Sequence, residues 1–360
     1  MPQNLTKQQQ FRVLGLMSGT SLDGLDLCLV DFRRMDTWQF EIKAAKTMAY
    51  SDAWEADLKF KPLSDSELKN LDHRYGKLLA HYVLDFLGKE NIDPKSIDFI
   101  ASHGHTWYHQ PEKGLGLQIG NGPELWETSQ IPVICDFRKA DIALGGQGAP
   151  LVPIGDRDLF SEYDACLNLG GFANISFSEN GQRIAFDIVA CNLILNHYSR
   201  KLGLPYDDGG YIAATHKCNS QLLQELNQLA YYQQRPPKSL GIEWLREIVF
   251  PILEKARLSP EEIIATATEH SAYQIARCLN DFGLNKVLLS GGGSYNQTLI
   301  DTIGLYSQSK LLIAAEPINS FKEALIFAYL GLLKHLGEDN ILASVTGAPH
   351  NHCSGTVYPK

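Results

Sequence analysis

The chain has 360 residues, 44% of them hydrophobic and 20% charged, with a net charge of −9 and a sequence pI near 5.7. That length predicts two domains, since single cores stop growing beyond roughly 250–300 residues. The acidic balance excludes a broad nucleic-acid-binding face, though not a nucleotide held by local amides and a few cations. Seven cysteines without a C-x-x-C spacing predict neither a disulfide framework nor a zinc site, and reduced thiols fit a cytoplasmic location. The polar N-terminus, MPQNLTKQQQ, lacks the apolar stretch of a signal peptide, and no apolar run approaches the ~20 residues of a membrane span.

Phe11–Phe32 predicts a β-hairpin: Val13, Leu14 and Leu16 lead in, and alternating Leu27, Cys28, Leu29 and Val30 lead out. Its turn, Gly19-Thr20-Ser21-Leu22-Asp23-Gly24, carries two glycines, two hydroxyls and an acid. Two readings stand. Glycine-freed amides and hydroxyls can converge on anionic oxygen with an acid holding a hydrated metal, or the segment is an ordinary hairpin turn. Trp38–Tyr50 predicts a further strand pair, and Ser64–Leu87 a helix capped by Ser64 or Asp65. Ile97–Ser102 is a strand ending at His103-Gly104-His105-Thr106, which reads first as a hydrogen-bonded turn, two histidines alone being weak as a metal site. After strands Leu117–Gly122 and Pro132–Phe137 comes a glycine-dense loop, Arg138–Pro153, taken as the crossing between domains. The Asp136-Phe137-Arg138 at its start suits fixing a polar ligand, or a mutual ion pair.

Strand Ala165–Leu169, the turn Gly170-Gly171, and strands Ala173–Phe177 and Arg183–Ile188 repeat the opening plan, as a duplicated domain would. Asp187 stands in an apolar run. It is either a functional carboxylate made more basic by desolvation or a cap for a helix near Asn192–Leu202. Pro260–Cys278 predicts a long helix entered through Ser259-Pro260-Glu261-Glu262. Strand Lys286–Leu289 runs into Ser290-Gly291-Gly292-Gly293-Ser294, a turn suited to close approach by a planar or phosphorylated ligand; no Walker A motif is present. Ser320 could cap the helix that follows, with Phe321, Ala324, Leu325, Ala328, Leu332 and Leu336 toward the core. Glu323, near its start, reads on its own as a partner of the helix dipole.

Together these segments resemble the sugar-kinase, actin and heat-shock ATPase superfamily, and more narrowly the anhydro-N-acetylmuramic acid kinase family. The resemblance is carried by GLMSGTSLDGLD at 15–26, SHGHT at 102–106, LQIG at 117–120, DFRKADIALGGQGAPLVP at 136–153 and NLGGFANI at 168–175. It continues through PKSLG at 237–241, SGGGSYN at 290–296, EALIFA at 323–328 and VTGA at 345–348. It implies an α/β, two-lobed actin-like ATPase (ribonuclease H-like) fold, each lobe a mixed five-stranded sheet flanked by helices, with an ATP cleft between lobes. Residues 1–128 and 345–360 would form the N-terminal lobe and 129–344 the C-terminal lobe.

The resemblance implies ATP, Mg2+ and a 1,6-anhydro amino sugar as ligands, with no nucleic acid or membrane partner, and a homodimer. Asp187 matches the family's catalytic base. Gly19, Thr20, Ser21, Leu22, Asp23, Gly24, Leu25, Asp26, Gly170, Gly171, Gly291, Gly292, Gly293 and Asn296 would bind ATP, and Asp23 the metal. His103, Arg138, Asn192 and Glu323 would bind the sugar. The chain departs from the family pattern at Ile188-Val189-Ala190-Cys191, where T-G-P-G is usual before Asn192. It also departs at His105, at Trp107-Tyr108 and at Leu240. These departures leave open a kinase of another anhydro sugar. A nucleotide- or sugar-binding relative without turnover is the alternative of a different class, against which the retained Asp187 speaks.

Overall fold

The computed structural model describes residues 10–19, 22, 24–120 and 122–359, and they divide into two compact units. The first comprises residues up to Leu159 together with Phe321–Lys360, and the second is Phe160–Ser320.

In the first unit, β1 (Gln10–Ser18), β2 (Leu25–Arg34) and β3 (Trp38–Met48) form an antiparallel meander, so Trp38–Met48 is one strand rather than the expected pair. β4 (Phe99–Ser102) then pairs parallel to β1. Beyond it, the ribbon of β5 (His105–Gln110) and β6 (Leu115–Ile119) stands apart as a two-stranded sheet. β7 (Val133–Cys135) pairs parallel to β4. β2 is buried on both faces: Leu27, Cys28, Leu29, Val30 and Phe32 are each at most 1% exposed. One face is covered by the helix Asp65–Lys89, which places Leu71, Tyr75, Leu79, Val83 and Phe86 in the same core. That helix starts at a full capping box between Ser64 and Glu67, as the sequence predicts.

The second unit repeats the plan. β8 (Ala165–Leu169), β9 (Phe172–Glu179) and β10 (Gln182–Ala190) form an antiparallel meander, β11 (Lys286–Ser290) pairs parallel to β8, and β12 (Lys310–Ile313) parallel to β11. The strand orders β3-β2-β1-β4-β7 and β10-β9-β8-β11-β12 are the same order with the same pairing senses, and each unit has its own core. This is the duplication that the two strand–glycine-turn–strand patterns predicted.

Further expectations differ from the structure. The first sheet has six strands, because β13 (Thr356–Tyr358) adds antiparallel to β7 at its edge. Three residues carry too little periodicity to be read as a strand. Residues 129–159 and 321–344, expected in the second lobe, pack with the first unit. The loop expected to cross between domains instead holds a short helix, Lys139–Ala143, within that unit, and its Gln147 amide bonds to the Thr346 carbonyl. The helix Ile318–Leu336 breaks at Phe321 (φ −118°, ψ 15°), where the division between units falls. Ser320 lies inside that element and donates to Glu316 instead of capping it. The helix runs so close to β1 that a Cβ on Gly15 would lie 2.0 Å from the Ala324 carbonyl oxygen.

Candidate active site

In the first unit the turn between β1 and β2 includes Gly19, Leu22 and Gly24; Thr20, Ser21 and Asp23 lie outside the described residues. Leu22 adopts φ 61°, a left-handed conformation that a residue other than glycine rarely takes. A Cβ on Gly24 would meet the Met48 carbonyl oxygen at 2.7 Å, so glycine is required where the turn closes against β3. Leu25 is buried, and Asp26 accepts from Thr47 Oγ1 at 2.6 Å.

Three of the four expected sugar ligands meet in this unit. His103, 5% exposed at the end of β4, donates from Nδ1 to the Gly104 carbonyl. Its Nε2 is thereby an acceptor, and it receives Arg138 Nε at 3.2 Å and Nη2 at 2.9 Å. The structure shows the hydrogen-bonded turn read first from the sequence, with both ring nitrogens bonded within the protein. Burial, and next the Arg138 charge, drive the His103 imidazolium well below its ordinary range, which keeps the ring neutral and able to accept. Arg138 Nη1 donates to the Gly148 carbonyl. Desolvation lowers the Arg138 guanidinium to about 10 while Glu323 and Asp141 pull it back up.

Glu323 is solvent-exposed but crowded by protein, and desolvation raises its carboxyl above the usual range. Lys322 and Arg138 oppose that rise; Asp26 and Asp156 add to it. Beside it the sequence reading missed a buried ion pair, Lys322 Nζ to Asp156 at 2.7 Å, both side chains about 5% exposed. Neither residue stands in a pattern that marks it. Glu323 therefore sits in a balanced field of two cations and two acids rather than as a simple dipole partner.

The remaining candidates gather in the second unit. The Gly170-Gly171 turn joins β8 to β9, and the segment after β10 folds onto it: Cys191 and Leu193 amides donate to the Gly171 carbonyl and the Asn192 amide to that of Gly170. Asn192 Nδ2 also donates to the Leu169 carbonyl at 3.2 Å. The Gly291–Gly293 turn after β11 closes from the other side. Gly291 has φ 86°, and a Cβ there would lie 2.5 Å from Asn168 Oδ1; one on Gly293 would lie 2.8 Å from Leu169 O and 3.2 Å from Asn192 Nδ2. Asn192, expected at the sugar, thus lies among the glycine turns expected at ATP. Gly292 faces open space. Asn296 caps the helix Gln297–Tyr306, its Oδ1 accepting from the Leu299 amide at 2.9 Å.

Asp187 lies near the end of β10 at a register shift between Asp187 and Val189. Such a bulge re-aims a side chain and often marks a site. The carboxylate is half-buried, accepts from the Leu240 amide at 2.9 Å, and does not cap the following helix, whose N-cap is Cys191. Desolvation raises its carboxyl and the Leu240 amide lowers it, with a net rise. Tyr231 OH donates to the Asp187 carbonyl. Because Leu240 contributes its main chain, the departure from threonine leaves this bond intact. The Ile188-Val189-Ala190-Cys191 departure is absorbed into the core, each residue at most 3% exposed. His105 is likewise packed away: it is 3% exposed, with Nδ1 on Ser18 Oγ at 3.1 Å. Trp107 is 4% exposed against the Phe60 ring, while Tyr108 lies edge-on to that ring from the same ribbon.

A sheet order used twice, with a glycine turn after the first strand of each copy, defines a protein of the actin-like, ribonuclease H-like fold class. Comparison with known proteins narrows this. The family model described as anhydro-N-acetylmuramic acid kinase matches residues 11–360. A relative of that name from Francisella tularensis subsp. novicida is 35% identical over 372 residues, covering 96% of this chain and 97% of the relative. One from Chromobacterium violaceum is 34% identical over 366 residues, covering 96% and 99%. One from Caldanaerobacter subterraneus subsp. tengcongensis is 32% identical over 383 residues, covering 96% of each. The chain belongs to the anhydro-N-acetylmuramic acid kinase family and is a kinase. Among solved structures, the Acidaminococcus fermentans (R)-2-hydroxyglutaryl-CoA dehydratase component A aligns over 88% of this chain and 96% of its own at TM-score 0.46 and 14% identity. The fold assignment rests on the strand order instead.

Proposed function

We propose that this chain uses ATP to open 1,6-anhydro-N-acetylmuramic acid with water and to phosphorylate O6, giving N-acetylmuramic acid 6-phosphate. The observation that carries the reading is the setting of Asp187: a desolvated carboxylate on a bulge, held by the Leu240 amide, in a chain matched to this kinase family from residue 11 to 360. A carboxylate so placed is a competent general base. It takes a proton from water as the water oxygen bonds to the anomeric carbon and the C1–O6 bond breaks. The freed O6 attacks the γ-phosphorus, and the β–γ bridging oxygen leaves with ADP.

Phosphoryl transfer needs alignment and charge cover more than covalent help. In this reading Gly19–Asp26, Gly170-Gly171, Gly291–Gly293 and Asn296 bind ATP, while His103, Arg138, Asn192 and Glu323 hold the sugar. Among the described residues no group of three or more His, Cys, Asp or Glu side chains forms a metal cage. Magnesium held mainly by phosphate oxygens and water needs none, and Asp23 remains its proposed protein ligand. The ion would offset phosphate charge. Among the described residues no helix is long and apolar enough to cross a membrane; the reading places the enzyme in the cytoplasm, acting on recycled peptidoglycan fragments.

The test is direct. Purified protein with Mg-ATP and the anhydro sugar is expected to yield a 6-phosphorylated, ring-opened product by mass spectrometry and phosphorus NMR. ATP binding without that product would overturn this substrate assignment.

A further inference from the structure

The VTGA segment, Val345–Ala348, is part of the family resemblance but has no role in the chemistry above. The structure ties it to Arg138. Thr346, 1% exposed, donates from Oγ1 to Asp141 Oδ1 at 2.7 Å. Asp141 is fully buried, and its Oδ2 accepts the Gly148 amide at 2.6 Å. The Gly148 carbonyl accepts Arg138 Nη1, whose Nε and Nη2 rest on His103. The main chain runs in parallel, with the Gln147 amide on the Thr346 carbonyl and the Gly146 amide on the Asp141 carbonyl. His352 Nε2 lies 3.5 Å from Asp141 Oδ1.

A fully buried carboxylate is costly unless its oxygens are satisfied. Here they are satisfied by the loop Gly146–Gly148 and by a residue 205 positions away, so the carboxylate fixes where the Gly148 carbonyl stands. A Cβ on Gly146 would lie 2.2 Å from Asp141 Oδ2, so the loop has no room to slide. Among the described residues Arg138 donates one N–H from each of Nε, Nη1 and Nη2, and a guanidinium has five, leaving one on each Nη for a ligand oxygen.

We propose that Thr346 and Asp141 are positioning residues: through the Gly148 carbonyl they hold the Arg138 guanidinium at the angle at which it grips a sugar oxygen. The proposal rests on the reading of Arg138 as a sugar ligand. Thr346→Val keeps the shape and removes the hydroxyl. It is expected to raise the KM for the anhydro sugar about tenfold, the scale of one lost hydrogen bond in a charged network, with the KM for ATP within about twofold of wild type. Thr346→Ser is expected to restore the sugar KM. In an Arg138→Ala background Thr346→Val is expected to add nothing, since both changes remove one interaction. A general structural role would instead move both KM values and add in full to Arg138→Ala, which would overturn the relay. Should Thr346→Val fail to fold, Thr346→Ala is read the same way, with sugar affinity measured by calorimetry. An Arg138→Ala enzyme with an unchanged sugar KM overturns the assignment of Arg138 and the relay with it. A wild-type protein that makes no product overturns the proposed function itself.

Discussion

Asp187 was legible from its neighbours alone, since a carboxylate within Phe186-Asp187-Ile188-Val189 demands a partner or a task. Its partner was not legible: the Leu240 amide is 53 residues away, and a main-chain donor leaves no mark on residue type. Asp187→Asn is expected to lower kcat by at least ~100-fold, the scale of a lost general base, with ATP affinity nearly unchanged; loss of both would make the residue structural. Its raised carboxyl sets two pH dependences. The base must be ionised, so the acid limb of kcat should lie above the ordinary aspartate range near 3.9. In stability the sign is opposite to that of a salt-bridged acid. A carboxyl raised by folding favours the native state at pH below its unfolded value, and that contribution is lost as pH rises through the folded value. Thermal melts of Asp187→Asn should therefore show equal or greater stability than wild type at pH 8. A lower melting temperature would mean the ionised carboxylate is itself a structural anchor.

At the level of elements, alternation and glycine turns gave both meanders, and the capping signals gave the helices Asp65–Lys89 and Pro260–Asp281 near their observed bounds. The edge strand β13 escaped notice because its pairing to β7 spans more than two hundred residues. The loop 138–153 looked like a linker because its glycines are conspicuous, whereas the buried Asp141 that organises it is a single letter. Gly15 is a similar case: in sequence it only opens the motif at 15–26, yet in the fold it makes room for the Ala324 carbonyl. Gly15→Ala should cost ~2 kcal/mol or more in urea unfolding, as overpacking against backbone does. An alanine variant as stable as wild type would show that the helix Ile318–Leu336 can step away from β1.

At the level of the whole chain, the repeated strand order was legible as a weak internal similarity, while the unit boundaries were not, because contacts rather than composition set them. The second unit is continuous, with its own five-stranded sheet and its own core. Residues 160–320 expressed alone are expected to give a cooperative melt by circular dichroism, whereas 1–159 alone should not, lacking β13 and the helix over Gly15. A sloping, non-cooperative trace from 160–320 would show that its core depends on the first unit.

The insertion of one unit within the other has a consequence for how the protein is made. On the ribosome, residues 160–320 emerge complete and can fold while β7 still has a bare edge and β1 lacks its covering helix. The unit whose synthesis begins first is the one finished last. During that interval its uncovered strands are the natural place for a chaperone to bind, or for two nascent chains to pair in error.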